Sequence, residues 1–294
     1  MANDLSAKLS ELLPELSKGH KKIAEFIRDH YDKAAFMTAS RLGTVVGVSE
    51  STVVRFATVL GYEGYPELQK ALREYTSSKL TSIQRMDVMS DQLEGEDLLT
   101  KVMNFDIDQI RHTLEETDKE DFYRTVDILC NAKTIYVIGA RSAAVLARFL
   151  VFYFNIMVDN VRLIHTTSTS EMFEQIINIG KDDIMIGISF PRYSKHTVKA
   201  FRYAKENGAQ VIAITDSRTS PIAENADHLL LARSDMASFA DSLVAPMSLI
   251  NALITAMSMR KREFVSSNYE RLERIWNEYE VYEKSDDQDY DNNI

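Results

Sequence analysis

At Thr134 the spacing of apolar residues changes from a helical repeat to short, near-continuous runs. Five such runs follow, at 135–139, 161–165, 184–190, 210–216 and 228–232, apolar and mostly β-branched. Amphipathic stretches at 142–155, 171–179 and 194–207 separate them. A strand that is apolar on both faces must be covered on both, and alternating strands and helices do this by forming a parallel sheet between helical layers. The pattern therefore predicts a doubly wound, five-stranded parallel α/β domain. After Ala240 the period is helical again to about Tyr279, and the segment 243–259 is apolar almost all round. Such a helix needs cover on most sides, from its own sheet or from another subunit.

A chain of 294 residues is long for one core, and two domains are expected. Up to Ser77 the period is helical, in short segments divided by turn signals, and it stays helical from there to Asn131. The expected division is an all-helical domain at 1–77, a helical connector at 78–129, the α/β domain at 130–279, and a disordered acidic tail at 280–294. Net charge is −10, yet residues 1–77 carry ten Lys/Arg against ten Asp/Glu, so the whole excess of acid lies beyond them. A neutral domain binds a duplex only if its cations share a face; charge alone does not suggest nucleic acid here.

The stretch TASRLGTVVGVSESTVVRFATVLGYEGYPELQKAL, beginning at Thr38, carries the more specific signal. Ala39, Leu42, Gly43 and Val46 make one helix face. Gly47 suits a left-handed turn, and Val48 can plug the corner. Ser49 is a good N-cap for a second helix, whose buried stripe is Val53, Phe56, Ala57 and Leu60. Ser51, Thr52, Val54, Arg55 and Thr58 then face outward near its N-terminal end, the end that helix-turn-helix proteins present to the major groove. Arg55 has the fork to grip a guanine edge or a phosphate, the hydroxyls can contact either, and Val54 fits a thymine methyl. Arg41 and Ser49 complete the expected DNA face, with Lys21, Lys22, Lys70 and Arg73 as further phosphate contacts. An ordinary helical hairpin with a solvated outer face would show much the same pattern.

VSESTVVRFATVLGYEGYPELQ resembles the N-terminal domain of RpiR/MurR-type regulators, with their V-S-x-[AS]-T-V-x-R-F and L-G-[FY]-x-G-[FY]-x-E-L pattern. The likeness covers the first 77 residues or so and implies binding to double-stranded operator DNA. Gly43 departs from it, standing where the family usually has Ala, and is expected to loosen its helix slightly.

In the second half two loops follow strands, where open α/β sheets bind their ligands. In IYVIGARSAAV a helix opens near Ser142, and its backbone N–H groups, the Ser142 hydroxyl and Arg141 favour an anion. In IGISFPRYSKHTVKA, Ser189 ends a strand, Ser194 starts the next helix and Arg192 lies between. Each serine alone is more often a helix cap than a ligand contact.

From Thr134 to about Ala256 the chain resembles a SIS (sugar isomerase) domain, above all in AKENGAQVIAITDSRTSPIAENADHLLL. That family binds phosphosugars through a G-x-G-S-S and an S-x-S-G-x-T loop. Gly139, Ser142, Ser189 and Ser194 stand at matching positions, whereas Arg141, Ala143, Pro191 and Arg192 depart from the motif. The resemblance implies a phosphosugar or related anion as effector, with two hydroxyls exchanged for two guanidiniums. It also implies a homo-oligomer, a dimer or tetramer.

The alternative is a phosphosugar isomerase with a helical regulatory domain, which would need a base over the sugar. His165 and Glu171 lie by a strand end and suit sugar-hydroxyl contacts; His196 is expected on a solvated first turn. No catalytic residue, cofactor or metal is expected, since the histidines lack ligand spacing. The lone Cys130 suits a reducing cytoplasm and a small core position. The opening MANDLSAKLSELL lacks the basic and apolar blocks of a secretory signal, and the segment 243–259 is too polar for a membrane span.

Overall fold

The computed structural model describes residues 8–9, 11–77, 80–81, 83–86, 97–165, 168–236 and 240–283. The acidic segment 284–294, the polar patch at 91–96 and the loop residues 166–167 lie outside the described residues.

The first region is helical: α1 (Lys18–Asp29), α2 (Tyr31–Ala34), α3 (Ala39–Val46), α4 (Glu50–Val59) and α5 (Tyr65–Ser77). Local chemistry sets the boundaries. The Ser17 hydroxyl caps α1 by accepting from the His20 N–H, and Thr38 caps α3 by accepting from Arg41. Gly47 closes α3 in the left-handed conformation at φ 70°, as a C-terminal glycine should. Ser49 caps α4 by accepting from the Thr52 N–H at 3.3 Å. Ile23, Ile27, Leu42, Val53, Phe56, Leu60, Leu68 and Leu72 bury their side chains in one core. Gly43 has a sharper role than loosening a helix. A Cβ there would lie 2.9 Å from the Val48 carbonyl oxygen and 3.3 Å from the Glu50 nitrogen, so the small residue permits α3 to meet the turn before α4.

Beyond α5 come a helical turn at 83–86 and the long helices α6 (Leu98–Glu116) and α7 (Lys119–Cys130). These helices, read from the sequence as a connector, are packed onto the α/β body. Phe122, Val126 and Leu129 of α7 belong to the core of the sheet, because that apolar face needs cover. The Asp121 carboxylate accepts from the Leu229 N–H and bonds the His228 ring at 2.8 Å, tying α7 to the sheet edge.

The sheet has the order β2-β1-β3-β4-β5, all parallel: β1 (Thr134–Gly139), β2 (Val161–Ile164), β3 (Asp183–Ile188), β4 (Gln210–Thr215) and β5 (His228–Leu231). Side chains alternate between two cores. Ile135, Val137, Ile184, Ile186, Ile212 and Ile214 face α7, α8 (Ala143–Met157) and α11 (Val244–Arg260). Tyr136, Ile138, Met185, Val211 and Ala213 face α9 (Thr169–Ile176) and α10 (Lys195–Glu206). Gly187 leaves room for the Phe201 ring, which a Cβ would meet at 2.1 Å. The apolar α11 buries Leu249, Ile250, Leu253 and Met257 against its own chain while Val244 and Met259 stay exposed. The last helix, α12 (Arg262–Glu278), carries Trp276, whose ring meets that of Tyr282 edge-on at 5.3 Å. Among the described residues no helix is long and apolar enough to cross a membrane.

Candidate functional site

Two surfaces carry the chemistry. The first is the outer face of α4. Ser51, Val54, Arg55 and Thr58 are exposed while Val53, Phe56 and Ala57 of the same helix are buried. Arg41 and Ser49 are exposed beside them, and Thr52 is half-buried. The Ser49 hydroxyl meets those of Ser51 at 2.9 Å and Thr52 at 2.8 Å, making a compact polar cluster at the N-terminal end. The Arg55 Nε donates to the Ser51 carbonyl at 3.2 Å, which lays the guanidinium back toward that end. Lys70 pairs with Glu116 of α6 at 3.0 Å, and Arg73 donates to the Ala35 carbonyl at 3.2 Å, so both contribute to the packing of α5.

The second surface lies at the C-terminal ends of the neighbouring strands β1 and β3. A cavity of about 250 Å³ is lined there by Arg141, Ser142, Ser189, Arg192 and Ser194, with Arg85 and Asp241 completing the wall. Gly139 must be small, since a Cβ would fall 2.5 Å from the Ala143 carbonyl oxygen. The two arginines that depart from the SIS motif both take left-handed backbone, Arg141 at φ 57° and Arg192 at φ 65°. A non-glycine residue held there stores on the order of 1–3 kcal/mol of strain, a feature that clusters at ligand sites.

The serines divide. Ser194 caps α10, accepting from the Thr197 N–H at 3.4 Å, while its own N–H donates to the Ser189 hydroxyl at 3.3 Å. Ser142 accepts no capping bond. Behind the loop, the Tyr193 hydroxyl donates to the Asp216 carboxylate at 3.0 and 3.2 Å. Burial pushes Asp216 up to about 6, against the lowering effect of that bond. Asp241 is also raised by burial, with Arg85 and Arg192 pulling it back.

His165 and Glu171 are not brought to this cavity. The strand order sets β2 outside β1, on the side away from β3, and both residues follow β2. His165 is exposed there, its backbone tied to the Gln175 amide in both directions. His196 does not lie on a solvated turn as expected: it is half-buried, with Nδ1 enclosed, because the first turn of α10 packs inward at Thr197 and Ala200. Cys130 is half-buried, and burial raises its thiol above the ordinary value. Arg85 and Asp241 escaped the sequence reading, since neither sits in a motif.

A helix-turn-helix head joined to a parallel α/β domain with serine- and arginine-bearing strand-end loops defines a DNA-binding transcriptional regulator. The helix-turn-helix domain of the rpiR family matches residues 3–79, and the SIS domain matches residues 128–256. The chain belongs to the RpiR family of helix-turn-helix regulators with a C-terminal SIS domain. It is 27% identical over 278 residues to the HTH-type transcriptional regulator HexR of Escherichia coli K12, covering 92% of this chain and 93% of that one. The sugar isomerase domain of an RpiR transcription factor from Sphaerobacter thermophilus superposes with a TM-score of 0.58 at 28% identity, covering 61% of this chain and 99% of that one. The Vibrio vulnificus NanR protein complexed with ManNAc-6P matches in fold at 20% identity, with a TM-score of 0.54 over 92% of this chain and 97% of its own.

Proposed function

We infer that this regulator reads operator DNA through Arg41, Ser49, Ser51, Thr52, Arg55 and Thr58, and that a phosphorylated sugar or related anion sets its operator affinity. The convergence of Ser142, Ser189, Ser194, Arg141 and Arg192 on one cavity at two adjacent strand ends carries the effector reading. Hydroxyls, guanidiniums and the start of α8 together offer an anion many donors. The Vibrio vulnificus protein of the same fold is complexed with a sugar phosphate, which agrees. Relatives named as transcriptional regulators favour regulation over turnover.

The protein works as a homo-oligomer in this reading. Leu99, Met103, Ile107, Ile110 and Leu114 form an exposed apolar stripe along α6, spaced as in a helix–helix seam. Ile107→Glu is expected to lower the assembly state, as measured by sedimentation.

Thermal melting against a panel of phosphosugars, with the unphosphorylated sugars as controls, tests the effector. A ligand at about 100 times its dissociation constant adds roughly 2.7 kcal/mol. A rise that depends on the phosphate and is lost in Ser189→Ala supports the cavity; a flat panel removes the sugar-phosphate reading. Arg55→Ala is expected to abolish the operator gel shift with the melting temperature unchanged.

A further inference from the structure

The wall of the effector cavity includes a side chain from the segment that leaves the DNA-binding head. Arg85 lies in the helical turn at 83–86, a few residues past α5, and its side chain is 2% exposed. Its Nη1 donates to the Asp241 carboxylate at 2.6 Å, across 156 residues of chain. Both residues line the cavity beside Ser142, Ser189 and Arg192. Asp241 is therefore a negative charge on the wall of a pocket otherwise furnished for an anion.

Each partner is connected to the head. On one side, the Leu80 N–H donates to the Thr76 carbonyl of α5, and the Arg85 N–H donates to the Thr81 carbonyl. That helix packs directly on α4, the helix with the outward Arg55. On the other side, Asp241 forms an antiparallel bridge with Met236. Met236 and Leu80 are buried in one small cluster, against which Tyr31 and Phe36 of the head pack. The ion pair and this cluster are thus two ends of a single contact chain from the pocket to the head.

We propose that Arg85 is an effector contact and Asp241 its counter-ion in the empty state, so that a bound phosphate takes the guanidinium from Asp241 and shifts the helical turn at 83–86 against the head. This rests on the cavity being the effector site and names how that site is coupled to DNA binding. A phosphate brings a charge that Arg85 binds in bidentate fashion and that Asp241 repels, so the two anions compete for one guanidinium. The ligand then has a differential interaction with two arrangements of the segment, which coupling requires.

The test uses the full chain and inorganic phosphate, titrated at constant ionic strength against chloride. Affinity is read from melting temperature, and the head from hydrogen exchange in peptides covering 31–36 and 80–86. In the unaltered protein phosphate should bind and change exchange in both peptides. Arg85→Gln should bind phosphate at least about tenfold more weakly, the loss of a charge-assisted contact, with both peptides silent even at saturation. Asp241→Asn should bind about tenfold more tightly and show the ligand-bound exchange pattern before phosphate is added. Ser189→Ala, which leaves the ion pair intact, locates the binding. Phosphate affinity unchanged in Ser189→Ala, or no binding at all, removes the cavity reading and this proposal with it. Binding at the cavity with a silent head, or a full head response in Arg85→Gln, overturns the coupling alone. Should Arg85→Gln fail to fold, Asp241→Asn with unaltered affinity and unaltered exchange overturns it equally.

Discussion

Lys70, on the last helix of the DNA-binding head, holds its Nζ 3.0 Å from the carboxylate of Glu116 at the end of α6. Arg233, just past β5, bonds the same carboxylate. One acid thus joins the head to the strand ends of the α/β domain. Burial would raise the Glu116 carboxyl, but the bonds from Arg233 and Lys70 outweigh it and hold it below its ordinary value.

Glu116→Gln is therefore expected to destabilise by about 1–3 kcal/mol, since the largely buried Arg233 loses its counter-charge. Lys70→Met should cost less than about 1 kcal/mol, because Lys70 is half exposed and screened. A carboxyl held low contributes stability above its unfolded pKa and loses it as pH falls through the folded one. The gap between Glu116→Gln and the parent should accordingly narrow as pH falls below the ordinary glutamate range in urea titrations. A constant gap at every pH would refute the ionic account.

Asp216 has the opposite sign. Its carboxyl is raised to about 6 by burial, so the folded protein holds a proton there that the unfolded chain gives up. The stabilisation is complete below pH about 4 and is lost as pH rises through about 6. Asp216→Asn should gain on the order of 2 kcal/mol at pH 8 and little at pH 4, with the Tyr193 bond kept by the amide oxygen. Differential scanning calorimetry at the two pH values measures it; equal melting shifts would mean that Asp216 titrates normally.

Gly187→Ala should destabilise by about 3 kcal/mol or more, because the new methyl would overlap the buried Phe201 ring. Phe201→Leu in the same chain should restore part of the loss. Chemical denaturation of the single and double variants decides, and strict additivity would contradict the contact.

Gly43 separates helix propensity from packing. Alanine gains about 1 kcal/mol of propensity, but its Cβ would stand 2.9 Å from the Val48 carbonyl oxygen, a backbone atom that has to shift, so Gly43→Ala should cost about 1 kcal/mol net. Gly43→Val should cost about 2 kcal/mol or more, as the turn before α4 has no further room. A well-folded Gly43→Val with an intact operator gel shift would show that the close approach is dispensable.

Much of this architecture is local and was legible in the residues. The short apolar runs mark five strands because alternate side chains enter two cores, as Ile135 and Tyr136 do. Gly47 and Ser49 mark the end of α3 and the start of α4 because capping is settled within a few residues. The serines of the cavity are legible for the same reason, Ser189 standing just past β3 and Ser142 and Ser194 at helix starts. Periodicity reports that a face is buried, not what covers it, and there the sequence falls silent. Strand order alone set β3 beside β1 and β2 outside, which gathered Ser142 with Ser189 and left His165 and Glu171 apart. The path of the chain brought Lys70 to Glu116 and Arg73 to the Ala35 carbonyl, pairings no local pattern announces. Arg85 and Asp241 meet across 156 residues, and no local pattern encodes that pair. Backbone conformation is fixed by neighbours in sequence, whereas charge pairing is fixed by neighbours in space, which only the folded chain determines.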